Sequence, residues 1–268
     1  MLKQRVITAA VVIPLLILLI WFGDPWFSLL IAAVVLIGAF EFFRMTAEFN
    51  KRCPLTYFGL LWTLALALSP HYRSTNLLPV VMAAAVVISL AWLLFHSPRE
   101  KAFYNWAWMV AGVIYVGWML SYWIDLHLGY GRSWVYLAMF TTFANDTGAF
   151  FIGSKWGKHK LASDISPGKT WEGAIGGLLS AIVASIAISR IPILFSSSPL
   201  EYWQVVLLGC LISLFAQLGD LVESLLKRSM GLKESGNLLP GHGGVLDRFD
   251  SLIFVGAMVY YYMVWIVA

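Results

Sequence analysis

The chain carries too little charge for a protein that folds in water. Asp, Glu, Lys and Arg together make up 12% of its 268 residues, whereas soluble domains usually contain about 25%. Hydrophobic residues make up 60%, and the mean hydropathy is +0.79. So little polar surface cannot cover a globule in water. The composition therefore excludes a soluble globular protein and predicts that most of the outer surface faces lipid.

Other features are also missing from the sequence. The cysteines, Cys53 and Cys210, lie in different hydrophobic regions and do not indicate a disulfide framework. The apolar run at 6–22 follows a basic N-terminus but has no small-residue cleavage site, so we interpret it as a retained first helix and not as a signal peptide. The chain has no repeat of about 20–50 residues, which argues against a solenoid.

Long apolar runs predict an all-α, polytopic integral membrane protein with about nine transmembrane helices, each needing about 20 residues. With the N-terminus in the cytoplasm, fifteen of the 18 Lys and Arg residues fall on the cytoplasmic side, counting Arg248 at the edge of the last span, and three (Arg73, Arg132 and Arg190) fall on the other side. This positive-inside bias predicts a cytoplasmic N-terminus and a C-terminus on the opposite side. The predicted spans lie at 6–23, 26–43, 55–69, 77–95, 106–124, 134–152, 174–195, 202–222 and 248–267.

The polar residues divide the chain into two predicted regions. Residues 1–130 are interpreted as structural or oligomerisation helices, and Glu41 is interpreted as a local partner of Arg44 near the headgroups. Residues 131–268 are interpreted as a catalytic transmembrane region, with cytoplasmic loops at 153–173 and 223–247.

Asp146 is the first candidate for chemistry. It lies in the predicted sixth span about six residues, or ~9 Å, from the cytoplasmic end. A carboxylate at that depth is unfavourable unless it faces protein, water or a cation, so a functional role is the first interpretation. The alternative is a hydrogen-bonded helix-packing cluster with Asn145 and Thr147.

The loop at 153–173 contains a motif that resembles a phosphate-binding P-loop without matching it. Gly168-Lys169-Thr170 has the right ending, but position 163 is a serine where the P-loop requires glycine, and no strand precedes it. Pro167 restricts Ser166 to an extended backbone, and a new helix is expected to begin near Lys169 and Glu172 with N–H groups free for an anion. Lys155, Lys158 and Lys160 are attributed to attraction for anionic lipid.

The segment 217–250 concentrates charge and glycine in this otherwise apolar chain. Asp220, Glu223, Ser224 and Lys227 have offsets of 0, 3, 4 and 7, which place them on one face of a helix leaving the membrane. A deep carboxylate with a lysine two turns further out is typical of a site for a cation and a polyphosphate.

A glycine-rich loop follows this helix. Its glycines (Gly236, Gly241, Gly243 and Gly244) allow the backbone to approach a ligand closely, and successive N–H groups can bind an anion. Acidic oxygens without clustered Cys or His favour Mg²⁺, which Asp220 and Asp247 could bind from two helices. Asp250 begins the last span together with Asp247 and Arg248, and His242 is interpreted as a donor to phosphate.

These residues resemble the signature of the phosphatidate cytidylyltransferases, also called CDP-diacylglycerol synthases. Glu234 stands where the family usually has Asp, and 1–130 resembles the family only in being hydrophobic and multi-spanning. Upstream similarities are Asp146-Thr147-Gly148-Ala149, Ser166-Pro167-Gly168-Lys169-Thr170 and Glu172-Gly173. The matching signature residues are Ser224, Lys227-Arg228, Lys233, Gly236, Pro240, His242-Gly243-Gly244, Asp247-Arg248 and Asp250.

The resemblance implies transfer of CMP from CTP to phosphatidic acid, giving CDP-diacylglycerol and pyrophosphate. It implies Mg²⁺, with a second cation left open, and places the family's metal-binding aspartates at Asp220 and Asp247, with Asp146 and Asp250 as further candidates. The predicted catalytic residues are Lys169, Lys227, Arg228, His242 and Arg248. The predicted substrate-binding residues are Ser166, Glu172, Ser224, Asn237, Gly243 and Gly244.

By span parity the candidate residues share the cytoplasmic side, so the active site is expected to face the cytoplasm of a bacterial-type inner membrane. CTP, phosphatidic acid and the bilayer are the expected partners, a homodimer is a candidate assembly, and no nucleic acid is expected. An ion-coupled secondary transporter is the alternative function, with Asp146, Asp220 and Asp247 as coupling carboxylates. It predicts broken helices in two corresponding halves and does not require the glycine-rich loop. A structural scaffold leaves the charges unexplained.

Overall fold

A computed structural model describes residues 2–46, 54–72, 75–96, 100–195, 200–236, 238 and 243–267. These residues form mostly helices, with one small hairpin. The first helices are α1 (Leu2–Phe22), α2 (Trp26–Arg44), α3 (Pro54–Ala67), α4 (Leu77–His96), α5 (Ala102–Gly112) and α6 (Met119–Tyr130). They are followed by α7 (Arg132–Trp156), β1 (Lys160–Ala162), β2 (Ser166–Thr170), α8 (Trp171–Ser189), α9 (Tyr202–Ser229) and α10 (Leu246–Tyr262). A π-helical segment, Val113–Trp118, joins α5 to α6, and another, Met263–Val267, extends α10.

The helices confirm the prediction of an all-α membrane protein. Within the described residues, six helices are long and apolar enough to cross a membrane, and Val12–Phe22 and Pro54–Ala67 are shorter apolar helices. α7 is also long, but polar residues lower its hydropathy. The count of nine spans and the orientation stay predictions. The six long spans are Trp26–Arg44, Leu77–Phe95, Ala102–Tyr130, Trp171–Ser189, Tyr202–Ser229 and Leu246–Val267.

The loop predicted at 153–173 contains the only β-strands among the described residues. β1 and β2 pair as an antiparallel hairpin, with Lys160 opposite Thr170. Ser166 and Pro167 lie in β2, and α8 begins directly after it at Trp171. The expected extended backbone at Ser166 and the expected helix start are therefore both confirmed. The hairpin itself was not predicted, because neither strand has an alternating apolar pattern.

Two compact units make up the fold. One comprises Met1–Ile124 and Glu234–Arg248, and the other comprises Asp125–Lys233 and Phe249–Ala268. These units are defined by packing and do not test function. The predicted functional division at residue 130 therefore stays a prediction. In the first unit, Phe42 and Phe43 of α2 are almost completely buried, and the ring of Phe42 stacks on Trp108 of α5 at a centroid distance of 4.6 Å.

Small residues hold the second unit together along α7 and α8. A Cβ atom added at Gly148 of α7 would overlap the Ser180 hydroxyl of α8. One added at Gly177 of α8 would lie 2.7 Å from Asn145 Oδ1. The two helices therefore pack with their backbones close together, which brings the polar residues of α7 to the start of α8.

Candidate functional site

The end of the hairpin positions Lys169 at the start of α8. Thr170 is the N-cap residue of α8, and its Oγ1 accepts a hydrogen bond from the Gly173 backbone N–H at 3.1 Å. The Trp171 N–H donates to the His159 carbonyl at 2.9 Å and extends the pairing of the hairpin. Because the N-cap and the strand fix the backbone on both sides of Lys169, this side chain leaves the hairpin in a defined direction.

Lys169 forms an ion pair with Asp220 of α9. Its Nζ lies 2.8 Å from Asp220 Oδ2, and the two side chains are 22% and 36% exposed. The Ser224 hydroxyl, one turn further along α9, donates to Asp220 Oδ1 at 3.4 Å. The structure thus brings together two predicted site residues from separate motifs. Asp220 remains partly accessible, whereas the Lys169 Nζ atom itself is buried.

For Asn145 and Asp146 of α7, the sequence left two roles open: a functional role and a helix-packing role. Asn145 is fully buried, and its Oδ1 accepts hydrogen bonds from Ser213 Oγ at 2.7 Å and Gln217 Nε2 at 3.3 Å. Its Nδ2 donates to Asp146 Oδ1 at 2.9 Å. Gln217 Nε2 also contacts the Ala174 carbonyl at 3.1 Å. Asn145 therefore belongs to a packing network, which in turn orients the Asp146 carboxylate.

A cavity of about 360 Å³ lies beside this network in the second unit, and its lining is mostly apolar with several polar side chains. Residues from α7, the hairpin, α8 and α9 line it. Ala149, Phe150 and Leu161 supply apolar surface. The polar lining residues include Asn145, Asp146, Lys169, Thr170, Gln217 and Asp220. The cavity therefore combines carboxylates, an ammonium group and an apolar wall, which suits a ligand carrying phosphate.

Asp220 of α9 and Asp250 of α10 lie next to a close approach of these two helices in the second unit. Gly219 allows this approach, since a Cβ atom there would lie 2.5 Å from the Asp250 carbonyl oxygen. Oxygen donors with unbalanced negative charge fit a hard cation such as Mg²⁺.

A complete metal-ligand set is not preformed among these groups. In the parts of the chain that the structure describes, no three His, Cys, Asp or Glu side chains are placed to hold one ion together. This agrees with the coordination habit of Mg²⁺, which commonly takes one or two protein carboxylates and completes its shell with water and substrate phosphate. The Mg²⁺ prediction remains a prediction.

The C-terminal part of α9 carries a buried ion pair. Lys227 Nζ lies 2.5 Å from Glu223 Oε2, and the Glu223 side chain is fully buried. Together with the contact between Ser224 and Asp220, this pair confirms that the residues offset by 0, 3, 4 and 7 share one helix face. Arg228 donates to the Ile165 carbonyl at 3.3 Å and to the Leu232 carbonyl at 3.4 Å, so it ties α9 to the hairpin.

Glu172, predicted to bind substrate, is bonded to the hairpin. Its Oε2 accepts from the backbone N–H groups of Lys158 at 3.1 Å and His159 at 3.2 Å. Its Oε1 lies 2.6 Å from His159 Nδ1. Lys160 Nζ donates to the Pro167 carbonyl at 2.8 Å. These contacts give Glu172 a role in holding the entry to β1, and its binding of substrate stays a prediction.

In the first unit, two carboxylates organise the glycine-rich segment. Asp247 accepts hydrogen bonds from the backbone N–H groups of Ser235 at 3.0 Å and Gly244 at 2.8 Å. Glu41 of α2 accepts from Val245 N at 3.0 Å and Leu246 N at 2.8 Å. The interpretation of Glu41 as a local partner of Arg44 is thus corrected, since its carboxylate is directed at a segment more than 190 residues away.

The remaining predicted residues are distributed as follows. Asp220 lies in the second unit and Asp247 in the first, so their joint metal site stays a prediction. Gly243 has φ +80°, and glycine tolerates this left-handed backbone without strain. Arg248 lies in the first turn of α10. Asn237 and His242, with Pro240 and Gly241 of the signature, lie outside the described residues.

The sequence analysis missed three residues that organise these regions: Glu41, Ser213 and Gln217. Ser213 and Gln217 are four residues apart on α9, and this spacing of two hydrogen-bonding side chains in an apolar helix was an available signal. For Glu41, the available signal was a carboxylate inside an apolar helix end. Its partner could not be predicted, because the contact joins distant parts of the chain.

Comparisons of this chain with known proteins all indicate one family. A family model described as the cytidylyltransferase family matches residues 3–266. A phosphatidate cytidylyltransferase of Bacillus subtilis (strain 168) is 34% identical over 97% of this chain and 96% of its own length. One of Synechocystis sp. is 32% identical over 97% and 96%, and phosphatidate cytidylyltransferase 4, chloroplastic, of Arabidopsis thaliana is 34% identical over 89% and 67%.

These matches confirm the resemblance found in 146–250 and extend it over 1–130, where the motifs indicated only hydrophobicity. The carboxylates, the lysines and the glycine-rich segment described above all lie within the matched residues. The chain therefore belongs to the cytidylyltransferase family.

Proposed function

We propose that this protein transfers CMP from CTP to phosphatidic acid, producing CDP-diacylglycerol and pyrophosphate. The observation that carries the proposal is the ion pair between Lys169 and Asp220 in the lining of a cavity that Asp146 also lines. The ion pair occurs in a chain that matches phosphatidate cytidylyltransferases over almost their full length. The cavity supplies charge for phosphate, and the surrounding apolar helices suit a lipid substrate.

The reaction needs positioning more than proton transfer. An ionised oxygen of the phosphatidic acid phosphate attacks the α-phosphorus of CTP and forms a new P–O bond. The bond between the α-phosphorus and the bridging oxygen to the β-phosphate breaks, and pyrophosphate leaves with that electron pair. Because the attacking oxygen is already deprotonated at neutral pH, stabilisation of charge on the phosphates is the main requirement.

Lys169 is the side chain best placed to supply that stabilisation. An ammonium group has three donors, so Lys169 can stay bonded to Asp220 and still donate to a phosphate in the cavity. The Nζ atom is buried and has no hydrogen-bond partner among the described residues besides this ion pair, so its other donors are open to a phosphate. Lys227, Arg228 and Arg248 are proposed to bind phosphate as well, and His242 with Gly243 and Gly244 to bind the polyphosphate.

Asp220 and Asp247 would hold Mg²⁺ as the family resemblance implies, with Asp146 and Asp250 as further candidate ligands; one or two of these carboxylates would bind the ion, and water and substrate phosphate would complete its shell. When bound, Mg²⁺ would neutralise charge on the attacking and leaving phosphate oxygens. The two carboxylates that line the cavity of the second unit, Asp146 and Asp220, support a cation there. A second cation at the same carboxylates belongs to the proposal too.

The proposed location is a bacterial-type inner membrane, with the active site on the cytoplasmic side. The six long apolar helices establish a multi-pass protein, and the positive-inside bias supports the orientation. Phosphatidic acid would arrive from the bilayer and CTP from the cytosol. A homodimer stays a prediction, to be checked by the mass of the protein in a detergent micelle. The transporter alternative is not favoured, since the named relatives are transferases.

The function is tested with the full-length protein in detergent. We expect Mg²⁺-dependent release of pyrophosphate from CTP when phosphatidic acid is added. Phosphatidylcholine, which lacks a terminal phosphate, is the control lipid and should give no release. A folded protein that releases no pyrophosphate with phosphatidic acid would contradict the proposal.

A further inference from the structure

A buried carboxylate on α2 holds the glycine-rich segment, here defined as residues 235–247. Glu41 is 7% exposed. Its Oε1 accepts from Val245 N at 3.0 Å, and its Oε2 accepts from Leu246 N at 2.8 Å. Ser235 Oγ donates to Oε2 at 3.2 Å. One side chain therefore binds both ends of the segment, on either side of its glycines.

Two glycines of the segment, Gly236 and Gly244, pack closely against this carboxylate. A Cβ atom added at Gly236 would lie 2.7 Å from Glu41 Oε1, and its three nearest neighbours would all be Glu41 atoms. One added at Gly244 would lie 2.5 Å from Glu41 Oε2. The sequence analysis attributed these glycines to close approach of a ligand. The structure attributes Gly236 and Gly244 to close approach of Glu41.

The position of Glu41 also determines what the start of α10 can bind. The first N–H groups of a helix are usually available to an anion. At α10, Glu41 occupies the N–H groups of Val245 and Leu246, and Asp247 occupies that of Gly244. These three N–H groups are therefore not available to a phosphate of the substrate, and Glu41 keeps the backbone at Val245 and Leu246 in place.

We propose that Glu41 is a positioning residue for CTP: it holds the described ends of this segment, 235–236 and 243–247, in the arrangement that binds the polyphosphate. This inference rests on the proposed function. Glu41 does not contact a reacting atom, and it acts through the backbone of Val245 and Leu246. A carboxylate provides two acceptors for two N–H groups, whereas an amide provides one acceptor and places a donor against the second N–H group.

The test compares wild-type protein with Glu41→Gln, which keeps the size of the side chain and removes its charge. We expect the KM for CTP to rise about ten- to hundredfold, the scale of one charge-assisted hydrogen bond. The KM for phosphatidic acid should stay within about twofold, because the defect is confined to this segment. Glu41→Asp should fall between the two, since it retains the charge. Glu100→Gln, an exposed glutamate of the same unit, is the control and should behave as wild type.

Hydrogen exchange gives a readout independent of activity. In Glu41→Gln, the amides of Val245 and Leu246 should exchange faster, while amides in the middle of α10 should be unchanged. An unchanged KM for CTP, an equal rise in both KM values or unchanged exchange at these two amides would overturn the inference. If wild-type protein is itself inactive, the proposed function fails, and the exchange comparison still decides whether Glu41 holds the segment.

A second variant covers the case in which Glu41→Gln does not accumulate. Gly236→Ala pushes a methyl group against the Glu41 carboxylate and should raise the KM for CTP in the same way. In the double variant Glu41→Ala/Gly236→Ala, the glycine substitution should add little, because the atoms it would meet are gone. A wild-type KM for CTP in Gly236→Ala, or full additivity in the double variant, would overturn the inference.

Discussion

Lys169 of the hairpin and Asp220 of α9 form an ion pair, with Nζ 2.8 Å from Oδ2, although they come from two separate motifs. Both side chains line a cavity that Asp146 also lines, and the Lys169 Nζ atom is buried with no hydrogen-bond partner among the described residues besides this ion pair. A cation and an anion held together beside a cavity are suited to binding a phosphate and a metal ion side by side. This relationship is the basis of the role in nucleotidyl transfer proposed for the second unit.

Neutralising either partner should reduce the rate of the reaction. We expect Lys169→Gln and Asp220→Asn each to lower kcat by about a hundredfold or more, the scale for loss of one group that stabilises transition-state charge. Lys158→Gln and Asp164→Asn are matched controls from the same hairpin region and should keep near-normal rates. CDP-diacylglycerol formation at saturating substrate measures the effect. A normal kcat in either test variant would remove that residue from the site.

The contact between α7 and α8 should be sensitive to a single methyl group. Gly148→Ala places a methyl group on the Ser180 hydroxyl, and overpacking of this kind destabilises by about 1–3 kcal/mol. Gly129→Ala on α6 is the control, because nothing lies within 4 Å of its added Cβ atom. Thermal unfolding in detergent should show a lower Tm for Gly148→Ala alone. Equal Tm values for both variants would contradict the packing described here.

The buried pair of Glu223 and Lys227 allows a test of whether Lys227 has only a structural role or also a chemical one. Lys227→Met leaves a fully buried carboxylate without its cation, which destabilises by about 3–5 kcal/mol. The double variant Glu223→Gln/Lys227→Met should recover most of that stability. If Lys227 also binds phosphate, the double variant will be folded and still poorly active. Recovery of both Tm and activity would assign Lys227 a structural role only.

We expect the Glu172 carboxylate to hold the start of the hairpin in place. Glu172→Gln removes charge from an acceptor of two backbone N–H groups and the His159 ring. Amide exchange at Lys158 and His159 should therefore increase, while exchange in the middle of α8 should not change. Exchange at wild-type rates in this variant would show that the carboxylate does not hold the hairpin.

Local patterns predicted the helices and several site features well. Apolar runs located the long helices, and the spacing of Asp220, Glu223, Ser224 and Lys227 predicted their shared face because helix periodicity is a local property. Pro167 predicted the extended backbone before α8 for the same reason. The family resemblance rested on residue types at fixed spacings, and the comparisons confirmed it.

Contacts between distant segments could not be predicted in the same way. The pairing of Lys169 with Asp220, the network of Asn145 with Ser213, and the contacts of Glu41 each join residues far apart in the chain. A single sequence shows that such residues are polar and sit in apolar surroundings, but not which of them meet. The hairpin was missed because its strands are too short and polar to produce a periodic signal.

The most direct test follows the phosphorus atoms of CTP. Purified protein is incubated with phosphatidic acid, Mg²⁺ and CTP carrying radioactive phosphorus at either the α- or the γ-position, and the lipid fraction is extracted. Transfer of CMP predicts label in the lipid from α-labelled CTP and label in soluble pyrophosphate from γ-labelled CTP. Lipid labelled from the γ-position, or unlabelled from either, would contradict the assignment of this protein as a lipid cytidylyltransferase.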